Sequence, residues 1–405
     1  MNKISKIVFI TSLLAASSTF AITYRSPLII DDAYITNNGS VISGNYQGTV
    51  TQAAITIKTS QSVTITNSNL QGPGDLIQAI AKPANLIVTN NTGTGTNPNE
   101  RGKRKGIFLH VKKFVSINMQ NNTINGVRIG FYNMGYTGNH TMNETLVISR
   151  NVFTNIDARP SDGKGSYEAT GQHNGQAIHL GNIFNVPAID IGWNQIFNTP
   201  FESSSGALIE INESSGTSGN SMQVHDNYIQ GALPSSPGSD LYGFGGILIN
   251  GRPNDTTKNA SSFINIVRNR VVATANYGIA VVAGHDILVD NNRVISSGYL
   301  VNQKLYAMSA YGNAFGAANV NHFNQPSSVF FNNSIENNVL GLIRSDGHGS
   351  PVRADWSLLG QQGAIEGNTS FSPTDANNPT LADETQEFVN WQQSLRKGLI
   401  TIGAS

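Results

Sequence analysis

The stretch YGIAVVAGHDILVDNNRVISSG, residues 277–298, decides the fold of this chain. It contains three short apolar pieces, which are Ile279–Val281, Ile287–Val289 and Val294–Ile295. Each piece is too short for a helix and is rich in β-branched residues, so each is predicted to be a strand. Glycines and Asn291–Asn292 separate the pieces too tightly for crossover helices. Three strands that turn corners without reversing form one coil of a parallel β-solenoid.

The same template, apolar-x-apolar-x-x-Asn-x-apolar, repeats along the chain. A single coil cannot bury its own apolar face, so a solenoid requires several stacked copies. Asparagine at a fixed corner can stack on the next copy and hydrogen-bond along the ladder. The corner asparagines are predicted to be Asn91, Asn122, Asn151, Asn194, Asn227, Asn269, Asn292 and Asn333, with weaker copies in residues 63–70 and 364–371. A two-sheet β-sandwich is the alternative, but its turns would not keep asparagine in one register after the same strand.

A second type of predicted strand opens with glycine or another small residue and lies between copies of the template. Examples are residues 106–110, 126–130, 176–181, 207–212, 245–250 and 278–282. The gaps between successive copies vary in length, so the longer gaps are predicted to hold loops at the corners of the coils. These insertions are residues 131–145, 157–175, 231–244 and 299–328. Function concentrates on loops that a rigid scaffold positions.

This repeat pattern resembles the right-handed parallel β-helix repeat of the pectate-lyase-like superfamily, over roughly residues 40–375. The resemblance implies an all-β fold, namely a right-handed parallel β-helix that forms a three-sided solenoid of about ten coils. Carbohydrate-active enzymes are the commonest soluble members of that superfamily, so the resemblance also implies a polysaccharide as partner. The repeat is specific for the fold and carries little information about the reaction.

The composition indicates one elongated body without a nucleic-acid partner. Only 12% of the 405 residues are charged, against about 25% in an average domain. The formal net charge is zero, whereas nucleic-acid binding would require a basic footprint. The chain has no cysteine, which excludes a disulfide framework and, with an export signal, favours a bacterial envelope or extracellular protein. A monomer and an oligomer are both compatible with this composition.

Residues 1–21 have the features of a secretory signal peptide. Lys3 and Lys6 form the charged segment, Ile7–Ala16 is the apolar core, and small residues precede the cleavage position at Ala21. The apolar run is shorter than the about 20 residues that span a bilayer, so cleavage is favoured over an uncleaved anchor. No membrane span is expected after its removal, and the mature protein is predicted to be secreted or periplasmic.

The rest of the chain is predicted to be one solenoid followed by a C-terminal amphipathic helix. Residues 22–375 would form the solenoid, with an N-terminal cap expected within Pro27–Ile35 because a bare first coil would present free strand edges. Residues 376–405 would form a helix and a tail that pack on the solenoid. Thr380–Asp383 has the form of a capping box, and Gly398 ends the helical pattern. The apolar stripe is predicted to contain Leu381, Phe388, Trp391, Leu395 and Leu399.

Outward side chains on the second strands are predicted to form columns along the sheet, because side chains alternate along a strand. One column would contain Phe108, Arg128, His179, Glu210 and Leu248. A second column would contain His110, Gly130, Gly181, Asn212 and Asn250. Adjacent coils lie about 4.8 Å apart, so Arg128, His179 and Glu210 would be neighbours. A cation, an imidazole and a carboxylate within mutual reach form an acid/base set, and the alternative is a ladder of paired charges.

The resemblance to β-helix polysaccharide lyases implies proton abstraction next to a sugar carboxylate. Arg128 would bind the carboxylate, and His179 or Lys164 would be the base. Glu210 would orient the imidazole or protonate a leaving group. The sequence therefore predicts Arg128, His179 and Glu210 as catalytic residues of a lyase or epimerase.

Glycoside hydrolysis is the second predicted reaction. It requires two carboxylates about 5–9.5 Å apart, and Glu210 with Glu202, Glu168 or Asp157 would supply them. A non-catalytic glycan-binding protein, adhesin or surface structure is the alternative, because no complete catalytic motif of the family is present. Unequal loops favour the enzyme, since a purely structural solenoid tends to have short and uniform coils.

The predicted substrate-binding residues come from the two columns and from the charged insertion at residues 157–175. They are His110, Asp157, Arg159, Lys164, Glu168, His173, Asn212 and Asn250. Plain solvation of a long loop is the alternative explanation for the charges of the insertion. No acidic cluster has the spacing of a calcium loop, and no zinc or phosphate-loop pattern occurs. No metal or cofactor is therefore predicted, and calcium is implied only by analogy with the family.

Overall fold

A computed structural model describes residues 22–138, 144–168, 175–233, 244–300, 315–346, 350–357, 365–371 and 378–405. Strands account for 47% of it and helices for 7%. The strands form two long sheets in which nearly all neighbours are parallel. The predominance of strand that the short apolar pieces predict is therefore confirmed. The predicted signal peptide, residues 1–21, lies outside the described residues.

The first sheet has eleven strands, one from each successive copy of the repeat, and we call it row 1. Its strands are Leu28–Ile30, Ile55–Ile57, Ile77–Ala79, Ile107–Val111, Ile129–Thr137, Gln176–Phe184, Ile209–Asn212, Ile247–Asn250, Tyr277–Val281, Phe315–Asn319 and Trp356–Ser357. Each strand pairs in parallel with the strand before it and the strand after it in this order. The intervening chain returns to the same edge each time, which gives a solenoid-like stack.

The second sheet has 21 strands and consists of two rows that share a bend. Row 2 contains Val41–Gln47, Ser62–Gly72, Ala84–Thr89, Phe114–Gln120, Thr145–Ser149, Ala188–Gly192, Met222–His225, Ser262–Val267, His285–Asp290, Ser334–Glu336 and Ile365–Glu366. Row 3 contains Thr92–Gly95, Thr123–Asn125, Val152–Thr154, Gln195–Phe197, Tyr228–Gln230, Arg270–Val272, Arg293–Ser296, Val339–Ser345 and Thr369–Ser370. The long strand Ser62–Gly72 passes through the bend and pairs in both rows. Pro351–Arg353 is antiparallel to the end of row 3.

The stretch that decides the fold gives one strand to each row, as its three apolar pieces predict. Each piece lies opposite the equivalent piece of the preceding copy, so like side chains stack. The pairs are Ile279 with Ile247, Ile287 with Ile264 and Val294 with Val271. All six side chains are at most 1% exposed. This stacking of apolar side chains builds one continuous core along the chain.

The predicted asparagine ladder is present between rows 2 and 3. The side-chain amide of each asparagine donates to the side-chain oxygen of the next one, at 2.9–3.1 Å. The ladder runs through Asn91, Asn122, Asn151, Asn194, Asn227, Asn269, Asn292, Asn338 and Asn368. Asn333 is not a member, which corrects the prediction. Its amide bonds to the carbonyl of Gly284 instead, because the chain needs one more short strand, Ser334–Glu336, before it reaches the corner.

The residue before each ladder asparagine adopts a left-handed backbone conformation. Its φ is 55° at Asn90 and 52° at Asn121, for example. Asparagine tolerates this region better than other residues with a side chain. The doublet Asn-Asn is therefore a corner signal with a physical cause: the first residue makes the turn, and the second makes the ladder bond.

Two helices of the described residues lie at the ends of the chain. Asp32–Asn38 is a seven-residue helix whose Tyr34 and Ile35 pack against the core next to the first strands. Leu381–Lys397 begins at Thr380 with the predicted capping box, in which Thr380 and Asp383 bond reciprocally. The C-terminal helix lies along row 3 and contacts Arg293–Ser296.

The predicted apolar stripe of the C-terminal helix is correct except at its end. Trp391 and Leu395 are buried, and Phe388 packs against the same cluster. The indole nitrogen of Trp391 donates to the carbonyl of Asp226 at 2.8 Å. Leu399 is 92% exposed, because the helix ends at Lys397 and the chain turns away at Gly398.

Candidate functional site

The outward column of row 1 differs from the predicted one at two positions. His110 lies opposite Tyr132, and Tyr132 lies opposite His179. His179 lies opposite Glu210, and Glu210 lies opposite Leu248. The predicted contact between His179 and Glu210 is therefore correct. Arg128 and Phe108 do not belong to this column, and His110 belongs to it rather than to the second one.

The shift has a physical cause in how the strand around Gly130 begins. The strand starts at Ile129, which lies opposite Ile107, so Arg128 stays at the corner. Phe108 is fully buried rather than outward. A Cβ at Gly93 would lie 2.4 Å from its ring, so glycine there leaves room for the phenyl group. A short apolar strand gives few marks for alignment, and aligning by the leading glycine shifted the register by four residues.

His179 and Glu210 form the first of two imidazole–carboxylate pairs on row 1. The Nδ1 atom of His179 lies 3.5 Å from Oε2 of Glu210. Gln176 and Asn250 donate to the two carboxylate oxygens at 2.8 and 3.1 Å. Burial opposes the charged form of Glu210, but His179 and the two amides outweigh it and lower the pKa of this carboxyl. Neither ring nitrogen of His179 has a hydrogen bond to the described residues, so the imidazole is open to a ligand.

His110 and Asp75 form the second pair. Nδ1 of His110 lies 2.9 Å from Oδ2 of Asp75. The other oxygen of Asp75 accepts from the backbone of Ile107 at 3.0 Å, and Gln78 donates to the first one. Burial raises the pKa of Asp75, but the bonds from His110, Ile107 and Gln78 outweigh it, so its pKa lies below the usual value. A carboxylate on Nδ1 directs the lone pair of the neutral ring to Nε2.

Tyr132 lies between the two pairs. Its ring is 5.2 Å from that of His110, edge to face, and 5.1 Å from that of His179, stacked. Aromatic rings at these separations attract one another. Tyr132 is half-buried, and its hydroxyl contacts only the sulfur of Met134 at 3.2 Å among the described residues. Row 1 thus carries a continuous line of two imidazoles and one phenol.

A basic cleft of about 400 Å³ opens beside the Asp75 end of this line. Its walls come from the backbone of residues 50–53 and from the loop that joins row 3 to Ile107. Side chains of both charges line it. They are Asp75, Gln78, Lys103, Arg104, Lys105 and Arg128. The four cations outnumber the single carboxylate, so the cleft suits an anionic ligand.

Arg128 is the buried cation of this cleft. Burial, opposed by Asp75 and assisted by the like charge of Arg104, lowers the pKa of its guanidinium. The Nε atom of Arg128 is buried and has no hydrogen-bond partner among the described residues. An unpaired buried donor costs about 1–3 kcal/mol. A bound carboxylate would pair this donor and screen the repulsion between Arg128 and Arg104.

The predicted wall of the groove exists, but its charges have a structural part. The carboxylate of Asp157 is fully buried and bonds to Lys105 at 3.0 Å and to Arg159 at 2.8 Å. The cations of Lys105 and Arg159 also lie over the ring of Tyr167. The backbone of Ser161 donates to the carbonyl of Lys103. Asp157 and Arg159 therefore fix the basic loop in place, which corrects the expectation that they contact substrate.

The remaining predicted binding residues are dispersed. Lys164 is exposed, and Glu168 lies 4.0 Å from Arg101 at the loop surface. Asn212 and Asn250 are neighbours in row 1 as predicted. His173 lies outside the described residues.

Sequence reasoning missed the residues that make the cleft. Four cations occur within the five residues 101–105, RGKRK, in a chain that is only 12% charged, and this local excess was a usable signal. Asp75 and Tyr132 carried no such signal. Their importance depends on the register of row 1, which brings them next to His110.

The arrangement can bind a carboxylate beside an oriented imidazole. In the described part of the chain, no group of three or more metal-ligating side chains converges on a point. No described helix has the length and apolar character that crossing a membrane requires. Comparisons with family models, with curated proteins and with solved structures find no match to this chain.

Proposed function

We propose that this protein is an exported right-handed parallel β-helix of the pectate-lyase-like type that acts on an acidic polysaccharide as a lyase or epimerase. The parallel rows and the asparagine ladder support the fold, and residues 1–21 support export. The observation that carries the function is the basic cleft that adjoins an oriented His–Asp pair. Loops turn this end of row 1 into a cleft rather than a flat sheet.

Arg128 and Arg104 would bind the carboxylate of a uronate unit. Guanidinium groups match a carboxylate geometrically and donate two parallel hydrogen bonds. Arg128 brings an unpaired buried donor, and Arg104 an exposed cation, to the same cleft. Their positive charge would also stabilise the negative charge that develops on the carboxylate when the neighbouring C–H proton leaves.

His110 would take the proton from C5 of the uronate. Asp75 holds Nδ1 of the ring, so the lone pair of Nε2 is free to accept the proton. The carboxylate also stabilises the imidazolium that results. This role replaces the one that the sequence suggested for His179, because Arg128 lies beside the His110 pair rather than beside the His179 pair.

The proton inventory distinguishes the two reactions. In the lyase, the electron pair of the C5–H bond forms the C4–C5 double bond, the bond from C4 to the glycosidic oxygen breaks, and that oxygen takes a proton. In the epimerase, a proton returns to C5 from the opposite face. Tyr132 and His179, which follow His110 along row 1, would donate this second proton.

Proton abstraction is preferred over hydrolysis on the evidence of the carboxylates. Of the partners considered for Glu210, Asp157 is fully buried in ion pairs and Glu168 pairs with Arg101 at the surface. Hydrolysis requires one carboxyl that stays protonated near neutral pH. The pKa of Glu210 is lowered instead.

The test is turnover of the mature protein on a panel of uronate polymers. Ultraviolet absorbance of the unsaturated product detects a lyase, and uptake of solvent deuterium at C5 detects an epimerase. Arg128→Gln and His110→Ala should each lower kcat/KM at least about 100-fold, the lower range for a general base. Arg150→Gln, at an exposed corner outside the cleft, is the matched control and should retain full activity. Turnover that survives both cleft substitutions refutes the site. Binding without turnover in the wild-type protein indicates a non-catalytic glycan-binding protein.

A further inference from the structure

A second cavity, of about 280 Å³, lies under the C-terminal helix at the corner between rows 2 and 3. Trp193, Asp226, Arg268 and Asn291 line it from four successive coils, and Arg293 and Trp391 complete its floor. The basic cleft lies at a different corner, between rows 3 and 1. The two cavities share none of their lining residues.

Trp193 occupies a backbone position that normally excludes it. It directly precedes the ladder residue Asn194 and has a φ of 59°. The equivalent residues of other coils include Asn90, Asn121 and Asn291, whose side chains suit this conformation. A bulky side chain with positive φ is an outlier. Such strain, of order 1–3 kcal/mol, clusters at functional sites, which points to a role for the indole itself.

The indole of Trp193 is half-buried, whereas that of Trp391 is 1% exposed. Trp391 is accounted for by packing and by its bond to the carbonyl of Asp226. Trp193 also touches this cluster, but part of its surface remains open to the cavity. A flat apolar face of this kind packs against the C–H face of a ring.

The cavity combines this face with an accessible cation. The side chain of Arg268 is 58% exposed and bonds to Asp226 through Nε and Nη2. Its Nη1 has no hydrogen bond to the described residues. Arg270 and Arg293 face the same space and are both paired with Glu387 of the C-terminal helix. Three arginines and one aspartate thus line the cavity, so its charge favours an anion.

We propose that this cavity is a second binding site for one acidic sugar unit, with Trp193 as the stacking face and Arg268 as the carboxylate partner. The choice of a uronate polymer as ligand rests on the proposed function, but the site itself does not. Trp193, Asp226, Arg268 and Asn291 follow one another along the axis of the stack, at about 4.8 Å per coil. A linear glycan would therefore run along this corner and remain attached while another segment occupies the basic cleft.

The test uses the full mature chain carrying Arg128→Gln, which disables the basic cleft. The probe is the trimer of galacturonate, with maltotriose as its neutral counterpart, and the measurement is isothermal titration calorimetry. Trp193→Asn places at the corner the residue that other coils use there, so it should preserve or raise stability. Arg268→Asn follows the same logic. Arg150→Asn, with a φ of 58° at the equivalent corner outside the cavity, is the matched control.

We expect the acidic trimer to bind, and maltotriose to bind at least about tenfold more weakly, which is 1.4 kcal/mol. Trp193→Asn and Arg268→Asn should each weaken the acidic trimer at least about tenfold, while Arg150→Asn stays within twofold. Unfolding in urea must show that the Trp193→Asn chain is folded.

Three results overturn the proposal. The first is loss of all trimer binding on Arg128→Gln alone, which leaves only the basic cleft. The second is unchanged affinity in Trp193→Asn. The third is equal weakening by Arg150→Asn, which reduces the effect to net charge. Trimer binding at this cavity without turnover by the wild-type protein refutes the proposed reaction and leaves the second site standing.

Discussion

Replacing Asn227 by alanine tests the asparagine ladder at a single link. The residue is fully buried. Its side-chain oxygen accepts from the backbone and from the side-chain amide of Asn194, both at 2.9 Å. Its own amide donates to the carbonyl of Ile191 and to the side-chain oxygen of Asn269, also at 2.9 Å. Alanine removes all four bonds and leaves the backbone N–H of Asn194 without an acceptor.

The expected loss follows from those orphaned groups. A buried polar group without a partner costs about 1–3 kcal/mol. Asn194 keeps its amide bond to Ile148, and Asn269 keeps its bond from the backbone of residue 227, so only one or two groups are fully stranded. We therefore expect the free energy of unfolding to fall by about 2–4 kcal/mol.

Urea denaturation followed by circular dichroism measures this loss. Asn125→Ala is the matched control, because Asn125 is exposed at the end of a row 3 strand, and it should change stability by less than about 0.5 kcal/mol. If Asn227→Ala unfolds at the wild-type urea concentration, the ladder does not stabilise the stack and the reasoning is wrong.

Three further outcomes concern the C-terminal helix and its surroundings. Burial raises the pKa of Glu384 to about 7, so stability is greatest below its ordinary pKa and falls as pH rises through 7; Glu384→Gln should remove this fall and gain up to about 3 kcal/mol above pH 8, as measured by urea midpoints across pH. Burial opposes protonation of His225, but Asp190 and Asp226 raise its pKa to about 9. Its contribution is therefore complete below about pH 6.5 and lost as pH rises through 9, and equal pH slopes in wild type and His225→Gln would contradict this. Trp391→Ala should cost about 3–5 kcal/mol and release the helix to limited proteolysis, whereas an unchanged digestion pattern would show that it docks without the indole.

The sequence was sufficient for the repeat because the repeat has a local physical cause. The Asn-Asn doublet marks both the left-handed corner and the ladder, as at Asn121 and Asn122. The capping box at Thr380 is equally local. The one ladder error, Asn333 in place of Asn338, arose where two Asn-Asn doublets lie five residues apart and both fit the template. Only pairing with the neighbouring coils distinguishes them.

The candidate site was harder to predict because it depends on register between coils rather than on any local signal. A shift of four residues in one strand replaces Arg128 by Tyr132 in the outward line. It also moves Arg128 to the corner, where it meets Asp75 and Arg104 in the cleft.

Corners escape the apolar alternation that fixes the strands, so their side chains are free to vary without loss of the core. The basic loop at residues 101–105 and the line that begins at Trp193 are both corner features. A rigid stack therefore leaves its corners as the places where binding chemistry can accumulate. The sequence signal for such chemistry is a departure from the corner rule: a bulky or charged residue where Asn would be least strained, as at Trp193 and Arg268.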